Sequence, residues 1–362
     1  MDHKLKLMVV DDSPLFRTWL IHSLSADDRF QVVGYAVNAL DAQEKIPLLQ
    51  PDMLTLDIEM PGMSGIDFLK QLLPVHPIPV ILVSSLNLRV FDALEAGAVD
   101  FVRKPDEANG LSKEIFLSML RSKLMVAAAS HVHLPSVPAD PQAGGIRKVS
   151  SLPPARNTFL QKPKIPLGAS PETVIAIGAS TGGTEAILEV VKNFPENTPG
   201  VVITQHMPAG FTAMYAERLN RICKMEVREA KNGDRIRKGL MLLAPGGLQM
   251  RVVPLGNSYA VSVQEGEKVN GHRPSVDVLF DSVALHVREH AIGVLLTGMG
   301  ADGTKGIKGL SDRHKKIYVI AQDEDTSEVY GMPKAIAQTG LVNEVVPLNR
   351  VAEVITKNVG VS

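Results

Sequence analysis

One cysteine among 362 residues excludes a disulfide within the chain. That residue, Cys223, closes a helix-like stretch beginning at Phe211, where a buried structural thiol is expected. No segment approaches the ~18 uninterrupted apolar residues of a membrane span, and Met1-Asp-His-Lys passes into a strand without a signal-type apolar region. A soluble, cytoplasmic protein is the expectation. Charge of one sign is missing too: 38 Lys and Arg against 39 Asp and Glu leave a net charge of -1, which gives no footprint for nucleic acid or an anionic membrane surface. Internal repeats and an obvious coiled coil are absent, which favours a monomer. What is present suffices for two domains, because 45% apolar residues over this length can build a core in each.

Short apolar runs at Leu5 to Val10, Gln31 to Tyr35, Met53 to Leu56, Val80 to Val83 and Val99 to Val102 alternate with helix-length amphipathic stretches up to about Met125. This fivefold pattern predicts a parallel sheet with helices on both faces and functional loops at the strand C-termini. Between about Ala127 and Glu172 the periodicity stops and eight prolines appear among Ser, Gly and Ala, the composition of a linker. The α/β pattern resumes with a strand at Val174 to Ile177, a helix at Thr184 to Asn193, a strand at Val201 to Thr204 and a helix at Phe211 to Cys223. Leu240 to Ala244, Leu248 to Val253 and Tyr259 to Val263 read as short strands of antiparallel character, before helical spacing returns at Ser275 to Val287. The last strands are expected at Ile292 to Leu296, Ile317 to Ile320 and Val342 to Val346.

In the first domain Asp11 and Asp12 end one strand and Asp57 ends another, so three carboxylates should meet at one sheet edge. Their mutual repulsion favours a hard divalent cation such as Mg²⁺, completed by water or phosphate. Ser84 and Lys104 end two further strands and could hold phosphoryl oxygens. Each residue alone has a plainer reading, since Asp11, Asp12 and Ser84 precede helices, where short oxygen-bearing side chains act as caps. Together, Asp11, Asp12, Asp57, Ser84 and Lys104-Pro105 resemble the receiver domain of bacterial two-component response regulators, with its flavodoxin-like (βα)5 fold. The resemblance implies Asp57 as phosphoacceptor, Asp11, Asp12 and Asp57 with the Glu59 carbonyl as the Mg²⁺ site, and Ser84 and Lys104 as phosphoryl-sensing groups. It further implies Phe101 as the switch aromatic and a cis peptide before Pro105.

In the second domain Ile177-Gly-Ala-Ser180-Thr-Gly-Gly183, Thr204-Gln-His206-Met-Pro208 and Thr297-Gly-Met-Gly-Ala-Asp302-Gly303 each follow a strand-like run. Ser, His and Asp at neighbouring strand tips suggest a hydrolytic triad. The Gly-rich loop at Gly178 could instead cradle a dinucleotide phosphate at a helix N-terminus. Such a site usually puts an acidic residue at the end of the next strand, whereas this one ends in Gln205-His206, and histidine is the better general base. Ser180 and Asp302 also have a capping reading. Amides of the Gly298-Met299-Gly300 turn could form an oxyanion hole.

The segments Gly178 to Thr184, Gln205-His-Met-Pro208, His272-Arg-Pro-Ser-Val-Asp277, Leu296-Thr-Gly-Met-Gly300 with Asp302-Gly303, and Gly331-Met-Pro333 resemble the catalytic domain of the chemotaxis methylesterase CheB family. With the receiver ahead of it, the resemblance spans all but the linker, giving a receiver at 1–126, a Pro-rich flexible linker at 127–172 and a doubly wound, mainly parallel α/β hydrolytic domain at 173–358. It implies Ser180 as nucleophile, His206 as base, Asp302 as its orienter, Thr181 as support and Met299 as backbone oxyanion donor. His272 and Arg273 would lie near the site, for substrate docking or for loop structure. The Ser311 to Lys316 segment is more basic than the family pattern, and Gly62 and Ser64 replace its usual residues.

The implied activity is that of a protein-glutamate methylesterase and protein-glutamine glutaminase acting on methyl-accepting chemoreceptors. A chemotaxis histidine kinase, CheA, would be the phosphodonor, membranes would be met only through receptors, and Mg²⁺ would serve the receiver, with no cofactor in the ester chemistry. Because both functions share one tether, the unphosphorylated receiver is expected to cover the active-site face. A linker of about 45 residues reaches roughly 35 to 40 Å, so even weak docking would hold. A binding module without catalysis, or a hydrolase of another acyl substrate, would be the rival functions.

Overall fold

A computed structural model describes residues 4–85, 89–106, 111–128, 173–288, 290–313 and 317–361. Nearly all of the expected linker, and His314 to Lys316, lie outside the described residues. The first domain alternates β1 (Leu5–Val10), α1 (Pro14–Ser25), β2 (Phe30–Ala36), α2 (Ala39–Leu49), β3 (Met53–Leu56), α3 (Gly65–Leu72), β4 (Val80–Ser84), α4 (Arg89–Glu95), β5 (Asp100–Arg103) and α5 (Lys113–Ala127). Its five strands lie in the order β2-β1-β3-β4-β5, all parallel. Side chains alternate across this sheet. Leu7 and Val9 pack with Leu20 of α1 and Phe116 and Leu120 of α5, while Met8 and Val10 face Ile46, Phe68 and Phe91 of α2 to α4.

Local chemistry starts the helices. Ser13 accepts the Phe16 amide ahead of Pro14, whose missing N–H costs nothing in a first turn. Ser64 accepts the Asp67 amide to start α3, and Gly62, at φ +82°, supplies the left-handed residue before it. Both departures from the family pattern therefore have a turn or cap role. The bond before Pro105 corrects an expectation, because the one cis peptide among the described residues is Arg273–Pro274. At Lys104 the amide continues the ladder to the Ser84 carbonyl at 2.8 Å, and Arg103 reaches across Pro105 to Asp106 at 2.8 Å, contacts made with the bond trans.

The second domain runs β6 (Val174–Ala179), α6 (Gly183–Val191), β7 (Val201–Gln205), α7 (Phe211–Ile222), β8 (Glu226–Glu229), β9 (Arg235–Ile236), β10 (Leu240–Leu243), β11 (Gln249–Leu255), β12 (Ser258–Gln264) and α8 (Val276–His286). It ends with β13 (Ala291–Leu295), α9 (Thr304–Arg313), β14 (Ile317–Gln322), α10 (Met332–Ala337), β15 (Glu344–Val346) and α11 (Leu348–Val359). A seven-stranded sheet has the order β15-β14-β13-β6-β7-β10-β8 with every pair parallel. Leu240 to Leu243 therefore belongs to the parallel sheet, and only β11, β12 and β9 form an antiparallel side sheet. The chain proceeds outward from β6 through β7 and later returns to β13 on its other side. That reversal opens the crevice in which open α/β sheets hold their sites.

One apolar cluster joins the α2–α4 face of the receiver to the face of the large sheet covered by α6, α7 and α11. Phe91 of α4 stacks on Tyr215 of α7 at 5.3 Å, and Phe101 of β5 meets Phe211 of α7 at 4.6 Å. Arg218, only 6% exposed, reaches Glu185 of α6 at 2.7 Å and Glu95 of α4 at 2.8 Å, with its guanidinium over the Phe91 ring. Most of the docking energy must come from the aromatic contacts, since Glu95 is exposed and such pairs contribute ~0–1 kcal/mol. Arg218→Ala leaves Glu185 partly buried without its cation and is expected to lower stability by about 1–3 kcal/mol. It should also loosen the receiver, read as a larger radius of gyration by small-angle scattering; an unchanged radius would show that the aromatics suffice alone.

Candidate active site

Strand register sets the site. Ala179 pairs with Gln205 and Gly178 with both Thr204 and Leu295, so Ser180 and His206 leave the sheet side by side while the 296–303 segment rises against them. His206 Nδ1 lies 3.1 Å from Ser180 Oγ, and Nε2 lies 2.8 Å from Asp302 Oδ2. With Nε2–H donating to the carboxylate, Nδ1 is left to accept the serine proton. Ser180 does not cap a helix: the N-cap of α6 is Gly182, φ +74°, and no side chain caps it. The serine carbonyl takes the Gly183 amide at 2.7 Å and the Gln205 Nε2 at 2.8 Å, which pins the turn without using the hydroxyl.

Asp302 departs from its capping expectation in an unforeseen way. It accepts the amides of Val276 (2.7 Å) and Asp277 (3.2 Å) and the hydroxyl of Ser275 (2.8 Å), all at the start of α8 rather than of α9. Asn270 Nδ2 adds a bond at 2.7 Å. Burial would raise this carboxyl, but the hydrogen bond and charge of His206, then Asn270 and the Val276 amide, hold it well below the ordinary carboxylate range. It remains ionised beside the imidazole.

Gly298 presses on the nucleophile. A Cβ there would come within 2.7 Å of Ser180 Cβ and 2.5 Å of Met332 Sδ, so only glycine fits. Its amide is taken by the Val329 carbonyl, which removes one of the expected oxyanion donors and leaves Met299 in the turn. Thr181 is buried, and its carbonyl accepts the Thr297 hydroxyl at 3.0 Å, while that same oxygen accepts the Val329 amide at 2.9 Å. Gln205, Ser275, Asp277 and Thr297 lie in the motifs read from the sequence but were given no site role there, and Asn270 was not singled out at all. The Asn270-Gly271 dipeptide was the available signal, because it marks a two-residue hairpin turn.

His272 lies parallel to His206, with ring centroids 3.6 Å apart and planes 9° from parallel. Burial, then the neighbouring His206, lowers its pKa to about 4, and Lys123 of receiver helix α5 contributes in the same direction. Arg273 donates to the Gly266 carbonyl at 2.7 Å, a loop role. Glu328 lies over Gly182, and its buried Oε2 takes no hydrogen bond among the described residues. Burial, then Asp100 and Glu185, pushes its carboxyl up to about 8.

In the receiver, oxygens of Asp11, Asp12 and Asp57 lie within 4.8 Å of one another. Lys104 Nζ sits 2.5 Å from Asp57 and 2.9 Å from Asp11. Burial opposes the ammonium, but the two carboxylates raise its pKa and keep it charged. The Ser84 hydroxyl is buried at the same strand edge with no hydrogen-bond partner among the described residues, and Phe101 is buried against the second domain. Three converging acidic oxygen donors and an orphaned hydroxyl fit a hard divalent cation and a phosphoryl group.

A receiver fused to a doubly wound α/β domain with a Ser–His–Asp constellation defines a response regulator whose output is enzymatic. The family model described as CheB methylesterase matches residues 175–355, and that of the response regulator receiver domain matches residues 7–116. A protein-glutamate methylesterase/protein-glutamine glutaminase 2 of Syntrophomonas wolfei is 46% identical over 354 residues, covering 98% of this chain and 97% of that protein. One of Syntrophotalea carbinolica is 46% identical over 358 residues, 97% of each. The crystal structure of the Thermotoga maritima CheB methylesterase catalytic domain is 35% identical with a TM-score of 0.48, covering 50% of this chain and 96% of that one. The chain belongs to the CheB family of protein-glutamate methylesterases/protein-glutamine glutaminases.

The stacked histidine gives a signed prediction. Between its folded pKa of about 4 and the ordinary histidine value of 6.5, the unfolded state binds the proton and the folded state does not. Stability from this group is therefore present above 6.5 and lost as pH falls through that window, by up to about 1.4 kcal/mol per unit. His272→Phe keeps a ring on His206 and should flatten the fall in Tm between pH 6.5 and 4; an unaltered slope would contradict the assignment.

Proposed function

We propose that this protein is a phosphorylation-activated serine hydrolase that demethylates glutamate γ-methyl esters on chemoreceptors and deamidates selected receptor glutamines, providing sensory adaptation in chemotaxis. The observation that carries this reading is the hydrogen-bonded series Ser180–His206–Asp302 at the sheet's switch point. The names borne by its relatives give the substrate class.

Ser180 Oγ attacks the ester carbonyl carbon while His206 Nδ1 takes its proton, and Asp302 holds the imidazolium that forms. The Met299 amide donates to the developing oxyanion, and Thr181 supports it through the Thr297 tie. His206 then gives its proton to the leaving methoxide, releasing methanol and a glutamyl ester of Ser180. Water, deprotonated by His206, attacks that ester, and the imidazolium returns the proton to Ser180 Oγ as the acyl–Oγ bond breaks and glutamate is freed. With a glutamine substrate the leaving group is ammonia, and the balance is otherwise the same. This chemistry is assigned to protein groups alone.

In the receiver Asp57 accepts the phosphoryl group from the histidine kinase CheA. Asp11, Asp12 and Asp57, with the Glu59 carbonyl, would hold Mg²⁺, which would neutralise charge on the group in transfer. Lys104 and Ser84 sense the phosphoryl oxygens, and Phe101 relays the change to Phe211. The reading assigns residues 1–126 to the receiver, 127–172 to a tether and 173–358 to catalysis. It places the protein in the cytoplasm as a monomer, meeting membranes only through receptors. Among the described residues no helix is long and apolar enough to cross a membrane.

Inhibition in cis is supported by a cavity of about 490 Å³ lined by Leu117, Arg121 and Met125 of α5 together with Met299. Helix α5 thus stands beside the turn assigned to the oxyanion, where its displacement would widen the approach for a receptor segment. Phosphorylation is expected to raise activity about 5- to 150-fold, the usual span of such coupling. Methanol release from methylated receptor membranes should fall by about 10³-fold or more in Ser180→Ala. It should respond to a small-molecule phosphodonor with Mg²⁺ in wild type but not in Asp57→Asn. No release from wild type in either state would favour a binding module or a different acyl substrate, and full release by Ser180→Ala would remove the serine from the mechanism.

A further inference from the structure

The support of Asp302 is built as an exchange. Asp302 receives the first two amides of α8, and Asp277, the second residue of that helix, receives the Gly303 amide at 2.9 Å and the Gly306 amide at 2.8 Å at the start of α9. Each helix is thus capped by a carboxylate carried at the start of the other, and α8 and α9 pack along one another. Gly306 permits this approach, since a Cβ there would come within 2.6 Å of Phe280 Cβ.

The exchange brings two buried carboxylates together, and like charges so placed repel. One group lies between them: Asn270 Nδ2 donates to Asp277 Oδ2 at 2.8 Å and to Asp302 Oδ1 at 2.7 Å. A primary amide has two N–H groups on one nitrogen, which suits the task. The backbone that presents it is a two-residue turn. Val269 and His272 exchange both amide–carbonyl bonds, at 3.0 and 2.9 Å, with Asn270 at φ +53° and Gly271 at φ +82° between them. Positive φ at both central residues matches the strand twist, and Asn and Gly are the residues that tolerate it. The same turn delivers the His272 ring onto His206.

We propose that Asn270 is a positioning residue of the hydrolytic relay, its amide bridging Asp277 and Asp302 so that the Asp302 carboxylate is held in the plane that meets His206. This rests on the serine-hydrolase reading. Without the bridge, Asp302 keeps the Ser275 hydroxyl and the two α8 amides but loses the side-chain donor it shares with Asp277, so its position is less tightly set and its charge less neutralised, and the imidazole becomes the stronger base. The other titratable or charged groups facing the pair are Asp277, His272, Lys268 and, from the receiver, Lys123; of these, Asp277 alone loses a hydrogen bond when residue 270 is replaced.

Asn270→Gly separates the amide from the turn, because glycine keeps positive φ without strain. Asn270→Asp keeps shape and turn preference but faces two carboxylates with a third. In the full-length phosphorylated protein, Asn270→Gly should lower kcat for methanol release about 10- to 100-fold with KM within about twofold. The acid limb of its pH–rate profile should move to higher pH, with its Tm lowered by only a few degrees as two hydrogen bonds to buried carboxylates are lost. Asn270→Asp should lose more, and Asp277→Asn, which keeps an oxygen for the Gly303 and Gly306 amides but removes a negative charge beside Asp302, should move the acid limb the other way, to lower pH. An Asn270→Gly protein with wild-type kcat, or a loss of kcat with the acid limb unmoved, would overturn the proposal and leave Asn270 a turn residue. Ser180→Ala, run alongside, separates the two levels: if it also released methanol at the wild-type rate, the hydrolase reading itself would fail.

Discussion

A carboxylate taken out of water must find donors, and around Asp302 this need organises the catalytic domain. Five groups answer it: the His206 imidazole, the Ser275 hydroxyl, the Asn270 amide and the first two backbone amides of α8. Each donor comes with a structural obligation. The two amides fix where α8 begins, Asn270 fixes the turn before it, and Asp277 in return fixes where α9 begins. The imidazole is the one donor that chemistry can use. The others keep the charge in place when the imidazole becomes a cation.

The sheet supplies the second condition. Because β13, β6 and β7 are neighbours and parallel, the three segments that carry Asp302, Ser180 and His206 leave the sheet at the same edge. Glycine at 298 then lets the β13 turn close on Ser180. Beside the face so formed, α5 of the receiver lines one cavity with Met299, while α4 and β5 clamp α7 through Phe91 and Phe101. Regulation and catalysis therefore meet over a few residues. A shift of β5 or α5 small in distance is large in consequence, because packed aromatic interfaces rearrange in steps rather than by continuous deformation.

Much of this was legible in the sequence, for identifiable reasons. The apolar runs of the parallel strands announce themselves, and Asp11, Asp57, Ser180 and His206 are readable because a strand tip is a place where polar residues need a reason. Leu240 to Leu243 misled because a short apolar run among glycines does not disclose its direction; only pairing with Val201 to Ile203 does. The cap exchange was hidden because capping is ordinarily local: Asp302 precedes α9 in sequence yet serves α8 in space. Asn270-Gly271 carried a hairpin signal that went unused, and nothing in a linear reading places its amide between two carboxylates 7 and 32 residues away.

We hold that Ser180 is a nucleophile whose exposure the receiver controls. The most direct measurement is the rate at which a fluorophosphonate labels the full-length protein, with the adduct located by mass spectrometry, before and after treatment with a phosphodonor and Mg²⁺. The account predicts a single adduct on Ser180 that forms faster, by about 5- to 150-fold, when Asp57 is phosphorylated. An adduct on another residue, or labelling of Ser180 at one rate in both states, would contradict it.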